Sequence, residues 1–298
     1  MQLNNDICSI IAKFININPI YELVDWININ DLDWITLSAN PNAIELLKNN
    51  QEKINWNILS SNPNAIELLK NNFDKINWNM LSGNPNAIEL LKDNLDKVSW
   101  YVLSKNPNAI EILKENQNKI NWKELCFNTN AYELLKENQN KINWHNLSFN
   151  TNNQIFNLIE NNLDKINWNY ISYYCNNLDF LKKHVINLNW KLLSSNKYAI
   201  ELLKENINKI NWDYLSENSA AIDLLTNNKN KINWDYLCTN CNALELLQQN
   251  PDKINRIYLS LNTSLDILRL FNCLDWTCIS YNKDIFILSD KYNEIILT

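Results

Sequence analysis

The chain has 298 residues, a formal net charge of −6 and only two arginines, whereas nucleic-acid-binding proteins usually carry a basic, arginine-rich stripe. With Gly83 as its single glycine, it cannot form either common glycine-rich phosphate-binding motif. It also lacks an apolar run of about 18 residues and a signal-peptide pattern, so we expect no membrane span and a cytoplasmic protein that is not secreted.

Residues 1–33 predict a degenerate N-terminal cap. Asn18-Pro19 matches the Asn-Pro pair of later copies of a repeated motif, whereas Asp25-Trp26 diverges from it. Terminal copies of a repeat array are expected to be atypical because they cap the stack.

From residue 34 to residue 276 the motif recurs every 22 residues, and a tryptophan marks nearly every copy. One step is 24 residues long, between Trp144 and Trp168, and one is 20 residues long, between Arg256 and Trp276. A fixed period of this kind indicates a repeat array. The markers form a tryptophan ladder of Trp34, Trp56, Trp78, Trp100, Trp122, Trp144, Trp168, Trp190, Trp212, Trp234 and Trp276.

Each copy predicts two short helices. An Asn, Ser or Asp before the tryptophan is a good N-cap, and Trp56 and Leu59 share one face of the helix that follows. Asn62-Pro63 opens the second helix, and Asn72 stands where a left-handed C-terminal residue is expected. Because no stretch alternates with a period of two, we expect an all-α fold, a solenoid of about 11–12 two-helix repeats (α or 3₁₀ plus α) in a right-handed superhelix.

The end of the chain is less regular. The copy at 168–189 departs most from the motif, and residues 277–298 form an apolar C-terminal cap or tail. We expect one elongated domain over residues 1–298, with the repeats at 34–276 between the two caps. An apolar end without a polar outer face invites self-association, so a homodimer through the C-terminal end is one expected assembly.

The motif carries a resemblance. Its pattern Leu-Ser-x-Asn-Pro-Asn-Ala-Ile-Glu-Leu-Leu, over residues 34–276, resembles tandem repeats of giant DNA viruses of the mimivirus kind, which implies a viral protein but no defined activity. The layout of Leu59-Ser60-Ser61-Asn62-Pro63-Asn64 is also similar to the leucine-rich-repeat-variant solenoid, where short 3₁₀ or α turns alternate with an α-helix. The cysteine cluster of that family's founding members is missing, so the resemblance implies no cofactor.

The recurring residues have structural interpretations. We expect the tryptophan ladder to be buried and to contribute most to stability, so that Trp100→Ala costs about 3–5 kcal/mol. The register of small residues that contains Ser60 indicates close helix approach, and pairs such as Glu67 and Lys70 indicate a solvated face.

We expect no metal, cofactor or catalytic site. The Cys238-Thr239-Asn240-Cys241 pattern lacks a second pair or a nearby histidine to complete a zinc site, and the seven irregularly spaced cysteines indicate reduced thiols. His145 and His184 are isolated and are expected at the surface. The recurring serines have no histidine or acidic partner at a recurring spacing, so they do not indicate a nucleophile.

Binding is expected at the positions that vary from copy to copy, the second and the fifth residue after each tryptophan. Aromatic residues at a solenoid surface are typical of binding hot spots, although those next to the insertion could instead fill the gaps it leaves. The candidate partner-binding residues are Phe127, Phe149, Tyr173, Tyr174, Tyr214, Tyr236 and Tyr258.

Two classes of function remain. The first is a non-catalytic repeat scaffold that binds a host or viral protein. The alternative is a structural or assembly component of a virus particle or viral factory, held by self-association. Neither class requires nucleic acid, a membrane or a cofactor.

Overall fold

The computed structural model of the chain describes residues 21–25, 27–259, 261–262, 264–270, 276–281 and 285–288. The predicted Asn18-Pro19 match, Trp26, Cys8, Cys273 and most of the C-terminal tail lie outside these residues. The described chain is an all-α repeat solenoid, as the sequence predicts, with a single two-stranded sheet in its described part.

Contacts divide the chain into two compact units, residues 1–91 with 274–298 and residues 92–273. The expectation of one domain over residues 1–298 stays a prediction. Each copy of the motif contributes a first helix that begins at the marker position and a second helix about ten residues later.

The first helices are Trp34–Leu37, Trp56–Leu59, Trp78–Leu81, Trp100–Leu103, Trp122–Leu125, Trp144–Leu147, Trp168–Tyr174, Trp190–Ser195, Trp212–Ser216, Trp234–Cys238, Arg256–Leu259 and Trp276–Tyr281. The second helices are Ile44–Lys48, Ile66–Lys70, Ile88–Lys92, Ile110–Glu115, Tyr132–Glu137, Ile155–Ile159, Leu178–Lys183, Ile200–Glu205, Ile222–Thr226, Leu244–Gln248 and Leu265–Leu270. Between them lie 3₁₀ turns at Ile29–Asp31, Pro41–Ala43, Gln51–Lys53, Phe73–Lys75, Pro107–Ala109, Gln117–Lys119, Gln139–Lys141, Val185–Asn187, Lys197–Ala199, Ile207–Lys209, Lys229–Lys231 and Pro251–Lys253.

Asparagine residues cap the start of the first helices and the end of the second helices, as Asn55 and Asn72 show. The Oδ1 atom of Asn55 accepts the backbone N–H of Ile58 at 3.1 Å, which is the predicted N-cap of the first helix. After the second helix, Asn72 has φ −134° and ψ 50°, so the expected left-handed conformation is wrong. Its Nδ2 atom instead donates to the carbonyl of Leu68 at 3.0 Å, which satisfies a carbonyl that the helix end leaves without an internal partner.

The core consists of aliphatic residues on the facing sides of the helices. Leu59, Ala65 and Leu69 have no exposed surface, and the same positions are buried in the other regular copies. The predicted Glu–Lys pairs lie on the exposed side of the second helix, as at Glu67 and Lys70, whose charged atoms are 2.9 Å apart. The surface pairs each contribute only a few tenths of a kcal/mol.

The tryptophan ladder is not in the core, which corrects the expectation from the sequence. Each indole from Trp34 to Trp234 is half-buried, and the side chain of Trp276 lies outside the described part. A lysine ammonium from the end of the same copy lies 4.3 to 5.4 Å from the centroid of most of these rings, a cation–π contact. The pairs are Trp34 with Lys53, Trp56 with Lys75, Trp100 with Lys119, Trp122 with Lys141, Trp144 with Lys165, Trp190 with Lys209, Trp212 with Lys231 and Trp234 with Lys253.

Consecutive copies are joined by the small-residue register. The hydroxyl of Ser60 donates to the carbonyl of Trp56 at 2.8 Å and accepts the N–H of Asn77, in the next copy, at 3.0 Å. The sequence predicted only close helix approach at this position. The serine therefore forms a hydrogen-bond link between copies, and Cys126 fills the same place with its thiol donating to the carbonyl of Trp122 at 3.3 Å.

A second link is an asparagine ladder buried between copies. The Nδ2 atom of Asn128 donates to the carbonyls of Ser104 and Asn106 in the preceding copy, at 3.1 and 2.8 Å. Its Oδ1 atom accepts the N–H of Asn130 at 2.9 Å, so one side chain satisfies three backbone groups. The ladder consists of Asn40, Asn62, Asn84, Asn106, Asn128, Asn150, Asn196, Asn218, Asn240 and Asn262, all of them buried.

The C-terminal copy packs against the first copy within the unit formed by residues 1–91 and 274–298. The Ser280 hydroxyl accepts the N–H of Asp33 at 2.8 Å, and the Ser280 carbonyl accepts from Nδ2 of Asn40 at 3.1 Å. These are the same two bonds that join consecutive copies. Strand β1 (Tyr21–Leu23) also pairs antiparallel with strand β2 (Phe286–Leu288), a small sheet that the all-α prediction did not include.

Candidate functional site

The asparagine ladder is interrupted at one described copy, where Tyr174 occupies the ladder position. The first helix of this copy runs seven residues, Trp168–Tyr174, and leaves the Tyr174 side chain 42% exposed. The next ladder residue, Asn196, adapts by donating to the carbonyls of Ser172 and Cys175 at 3.0 and 2.9 Å. This copy therefore has a surface ring where its neighbours have a buried amide.

Tyr174 belongs to an aromatic cluster formed by Phe127, Phe149, Tyr170, Tyr173 and Tyr174. Phe149 lies at its centre, with ring centroids 3.7 Å from Tyr170, 5.2 Å from Tyr174 and 5.5 Å from Phe127. Tyr173 joins the cluster through Tyr174, at 4.6 Å. Three consecutive copies thus contribute rings to one surface within residues 92–273.

Four of the five residues of the aromatic cluster are among the binding residues predicted from the sequence. Phe127 and Phe149 are adjacent as expected from their shared register, but Tyr173 reaches Phe149 only through Tyr174. Tyr170, the closest ring to Phe149, belongs to the variable register two residues after each tryptophan but was not among the candidate residues. The sequence spacing could have predicted Tyr170, because residues three apart on a helix share a face and Tyr170 precedes Tyr173 by three.

The remaining predicted residues form a tyrosine row, Tyr214, Tyr236 and Tyr258. The ring centroids of successive copies are 6.1 and 6.3 Å apart, and all three side chains are half-buried. At the Tyr173 ring of the cluster, burial and the negative charge of Glu217 raise the pKa of the phenol of Tyr173. The phenol of Tyr173 is therefore neutral near pH 7.

Charged side chains flank both parts of this surface. Beside Phe127, the carboxylate of Glu124 is buried and lies 3.2 Å from the ammonium of Lys105. Beside the tyrosine row, Glu217 accepts a hydrogen bond from the Ser195 hydroxyl at 2.7 Å. The predicted surface residue His145 is exposed and its ring lies edge-on to Tyr170 at 5.0 Å.

His184, by contrast, is buried, which corrects its expected surface position. Its ring packs 4.5 Å from Phe180 and 5.6 Å from Trp168, and its Nε2 atom lies 3.1 Å from Glu160. Burial of Glu160 opposes its ionisation, but hydrogen bonds from Lys183 and His184 outweigh that effect and lower the pKa of Glu160. These contacts hold the end of a second helix, the place that Asn72 fills in the regular copies.

The cysteines behave as small residues of the core. Burial raises the pKa of Cys126 to about 11, although hydrogen bonds from the N–H groups of Asn143 and Cys126 act to lower it. Burial also raises the pKa of Cys175, to about 12. In the Cys-x-x-Cys pattern, Cys238 is buried and Cys241 is half-exposed, both as thiols. Within the described residues, no group of three or more His, Cys, Asp and Glu could hold a metal ion.

Cys126 makes stability sensitive to alkaline pH. The folded thiol stays protonated above pH 9 whereas the unfolded thiol ionises, so we expect unfolding to become easier by about 1–3 kcal/mol between pH 9 and pH 11. Urea denaturation of Cys126→Ser, which restores the residue of the neighbouring copies and cannot ionise there, isolates this effect from other titrating groups. An equal pH dependence in both proteins would contradict it.

Iodoacetamide at pH 8 should also label Cys241 before Cys126 or Cys175.

Comparison of the chain with protein-family models, with curated proteins and with solved structures found no match. Among the residues that the structure describes, no helix is long and apolar enough to cross a membrane.

Proposed function

We propose that the chain is a non-catalytic repeat scaffold that binds a protein partner through the aromatic cluster. The interruption of the asparagine ladder at Tyr174 is the observation that carries this proposal. The other ladder positions from Asn40 to Asn262 hold a buried asparagine, which satisfies backbone groups that are costly to leave unpaired. An exposed tyrosine cannot reproduce the hydrogen bonds of the amide, and binding is the role that we infer for its ring.

The geometry of the aromatic cluster supports the proposal. Tyr173 and Tyr174 are 39% and 42% exposed, while Phe127, Phe149 and Tyr170 are half-buried. Tyrosine offers a large contact area with few rotatable bonds, and clustered aromatic residues carry much of the energy of protein interfaces. The cluster lies on the first helix Trp168–Tyr174 and directly after the first helices Trp122–Leu125 and Trp144–Leu147. Serine and asparagine hold these helices to their neighbours, so the rings are presented in a fixed arrangement.

The chemistry of the polar groups supports a non-catalytic role. The serines of the recurring register are engaged on both sides, as at Ser194, which donates to Trp190 at 2.7 Å and accepts from Asn211 at 3.0 Å. The raised pKa values of Cys126 and Cys175 keep both thiols protonated at neutral pH, so neither is a ready nucleophile.

The variant Tyr174→Asn tests the proposal by restoring the ladder residue. We expect the unfolding free energy to change by less than about 1 kcal/mol, because new hydrogen bonds between copies offset the lost ring contacts. Partner binding should fall strongly. The tagged wild-type chain and the variant are compared in affinity purification from cells, followed by titration of the partner against both purified proteins.

Ile186→Asn is the matched control, because Ile186 is in the same copy, is 91% exposed and lies outside the aromatic cluster. A partner that binds Tyr174→Asn as tightly as the wild type overturns the site, and so does a partner lost equally from both variants.

The resemblance to giant-virus repeats leads us to propose a viral chain in the host cytoplasm and a host or viral partner.

The alternative of an assembly component that self-associates through the C-terminal end has less support. The described part of that end, Trp276–Tyr281 and Phe286–Leu288, packs on the first copy of the same chain rather than presenting an unpaired face. Light scattering separates the two functions, since a scaffold that does not self-associate has the monomer mass of 35.2 kDa.

A further inference from the structure

The tyrosine row has the properties of a cation-binding surface. Tyr214, Tyr236 and Tyr258 come from three consecutive first helices, and their phenol oxygens have no hydrogen-bond partner among the described residues. The ammonium of Lys191 lies 4.9 Å from the Tyr214 ring centroid, so the first ring of the row already holds a cation from the chain itself. Tyrosine attracts cations through the negative face of its ring.

Carboxylates along the tyrosine row also favour a positively charged ligand. Asp213 and Asp235 directly precede two of the tyrosines, and Glu217 follows Tyr214 by three residues. Asp213 accepts from Asn233 at 2.8 Å and Glu217 accepts from Ser195 at 2.7 Å, which are neutral donors that leave the negative charge uncompensated. Within the described residues none of the three carboxylates forms an ion pair.

The spacing of the rings matches an extended peptide. Ring centroids 6.1 and 6.3 Å apart are close to the distance between alternate side chains of a strand, about 6.4–6.8 Å at a rise of ~3.2–3.4 Å per residue. Alternate residues of an extended chain also point to the same side. One side of such a peptide would place a side chain on each successive tyrosine.

We propose that the tyrosine row binds an extended basic segment of a protein partner, with lysine or arginine at alternate positions. This inference rests on the proposed function and specifies the chemistry of its partner. Basic side chains stack on the rings of Tyr236 and Tyr258 and pair with Asp213, Asp235 and Glu217, while an adjoining apolar residue of the partner contacts the aromatic cluster. Nucleic acid is disfavoured because the same carboxylates repel phosphate.

Fluorescence anisotropy with labelled peptides tests the spacing. The probe is a peptide in which arginine alternates with serine, and the comparison peptides have the same composition with contiguous arginines or have glutamate in place of arginine. We expect the alternating peptide to bind about three- to tenfold tighter than the contiguous one, and the acidic peptide not to bind. Equal binding of both arginine peptides, or preferential binding of a single-stranded oligonucleotide of matched length, overturns the proposal.

Variants of the full chain test the residues. Tyr236→Leu keeps an apolar side chain and removes the ring, so binding of the alternating peptide should weaken about three- to tenfold. The matched control is Tyr198→Leu, which removes an exposed tyrosine of the 3₁₀ turn Lys197–Ala199, outside the first helices, that also has a lysine over its ring. Equal weakening by both variants, or by neither, contradicts a site at the row. A protein partner that requires Tyr174 but not Tyr236 overturns this inference and leaves the proposed function standing, whereas loss of the Tyr174 dependence contradicts the proposed function alone.

Discussion

Replacing Asn128 by alanine is expected to lower the free energy of unfolding by about 3–5 kcal/mol, because it leaves the Ser104 carbonyl and the Asn130 N–H without a partner and removes one of the two hydrogen bonds that the Asn106 carbonyl accepts. The side chain has no exposed surface and pairs with the carbonyls of Ser104 and Asn106 and with the N–H of Asn130. Water cannot replace these bonds without opening the contact between two copies. Urea denaturation of the full chain, with equal m-values as the check on two-state behaviour, measures the loss.

Asn130→Ala provides the control. Asn130 also donates across the same junction, to the carbonyl of Pro107 at 2.9 Å, but it is exposed, so water can satisfy the carbonyl after the substitution. We expect a loss of less than about 1 kcal/mol there. Equal losses at the two positions would show that burial of the amide is not what makes the asparagine ladder important.

Asn128→Asp separates donor from acceptor. Aspartate keeps the oxygen that accepts from Asn130 but replaces the donor with a carboxylate facing two carbonyls. The loss should be at least as large as for alanine and should diminish at low pH, where the carboxyl is protonated and can donate one hydrogen bond. A neutral effect at pH 7 would contradict the assigned orientation of the Asn128 amide.

Local rules account for the part of this fold that the sequence predicted. The cap at Asn55, the apolar face of Leu59 and the Glu67–Lys70 pair all depend on residues within four positions of each other. The fixed period then implies that the same unit is stacked many times. Those two steps were enough to predict an all-α solenoid.

The links between copies were missed because their partners are distant in sequence. Asn62 donates to carbonyls 24 and 22 residues earlier, at Ser38 and Asn40. Its recurrence was already explained by a local cap, which is also present, since Asn64 donates its N–H to the Asn62 side chain. One residue performs a local and a non-local task, and the sequence alone reveals only the first.

The candidate site was predictable in part. Tyr174 stands where every other described ladder position has asparagine, and that departure is visible by aligning the copies. Its contact with Phe149 was not predictable, because it depends on the extension of the Trp168–Tyr174 helix beyond the usual first turn.

Leu125→Ala is expected to destabilise the chain more than Trp122→Ala, the reverse of what the recurrence of tryptophan suggests. Leu125 has no exposed surface, and truncating a fully buried leucine costs about 3–5 kcal/mol. It lies on the buried side of the first helix Trp122–Leu125.

Trp122→Ala should cost about 2–3 kcal/mol, since a half-buried indole removes roughly half of its 150–250 Å² from water at ~25 cal/mol per Å². Part of the indole is covered by Lys141, whose ammonium lies 4.3 Å from the ring centroid. The same reasoning lowers the expected cost of Trp100→Ala below the value for a buried indole.

Lys141→Met separates the cation–π contribution of Trp122 from the contribution of its buried surface, because methionine keeps an apolar stem over the ring and removes the charge. We expect it to cost about 0.5–1 kcal/mol, the energy of an exposed cation–π contact. Its effect should vanish when Trp122 is already alanine, so the double-mutant cycle measures the pair directly. A larger loss for Trp122→Ala than for Leu125→Ala, together with no coupling to Lys141, would mean that the indole is buried in solution. Stability would then reside in the tryptophan ladder. The ranking we expect instead assigns stability mainly to the leucine core and the buried asparagines. The tryptophans are then half-exposed rings that contact a lysine at the end of most copies.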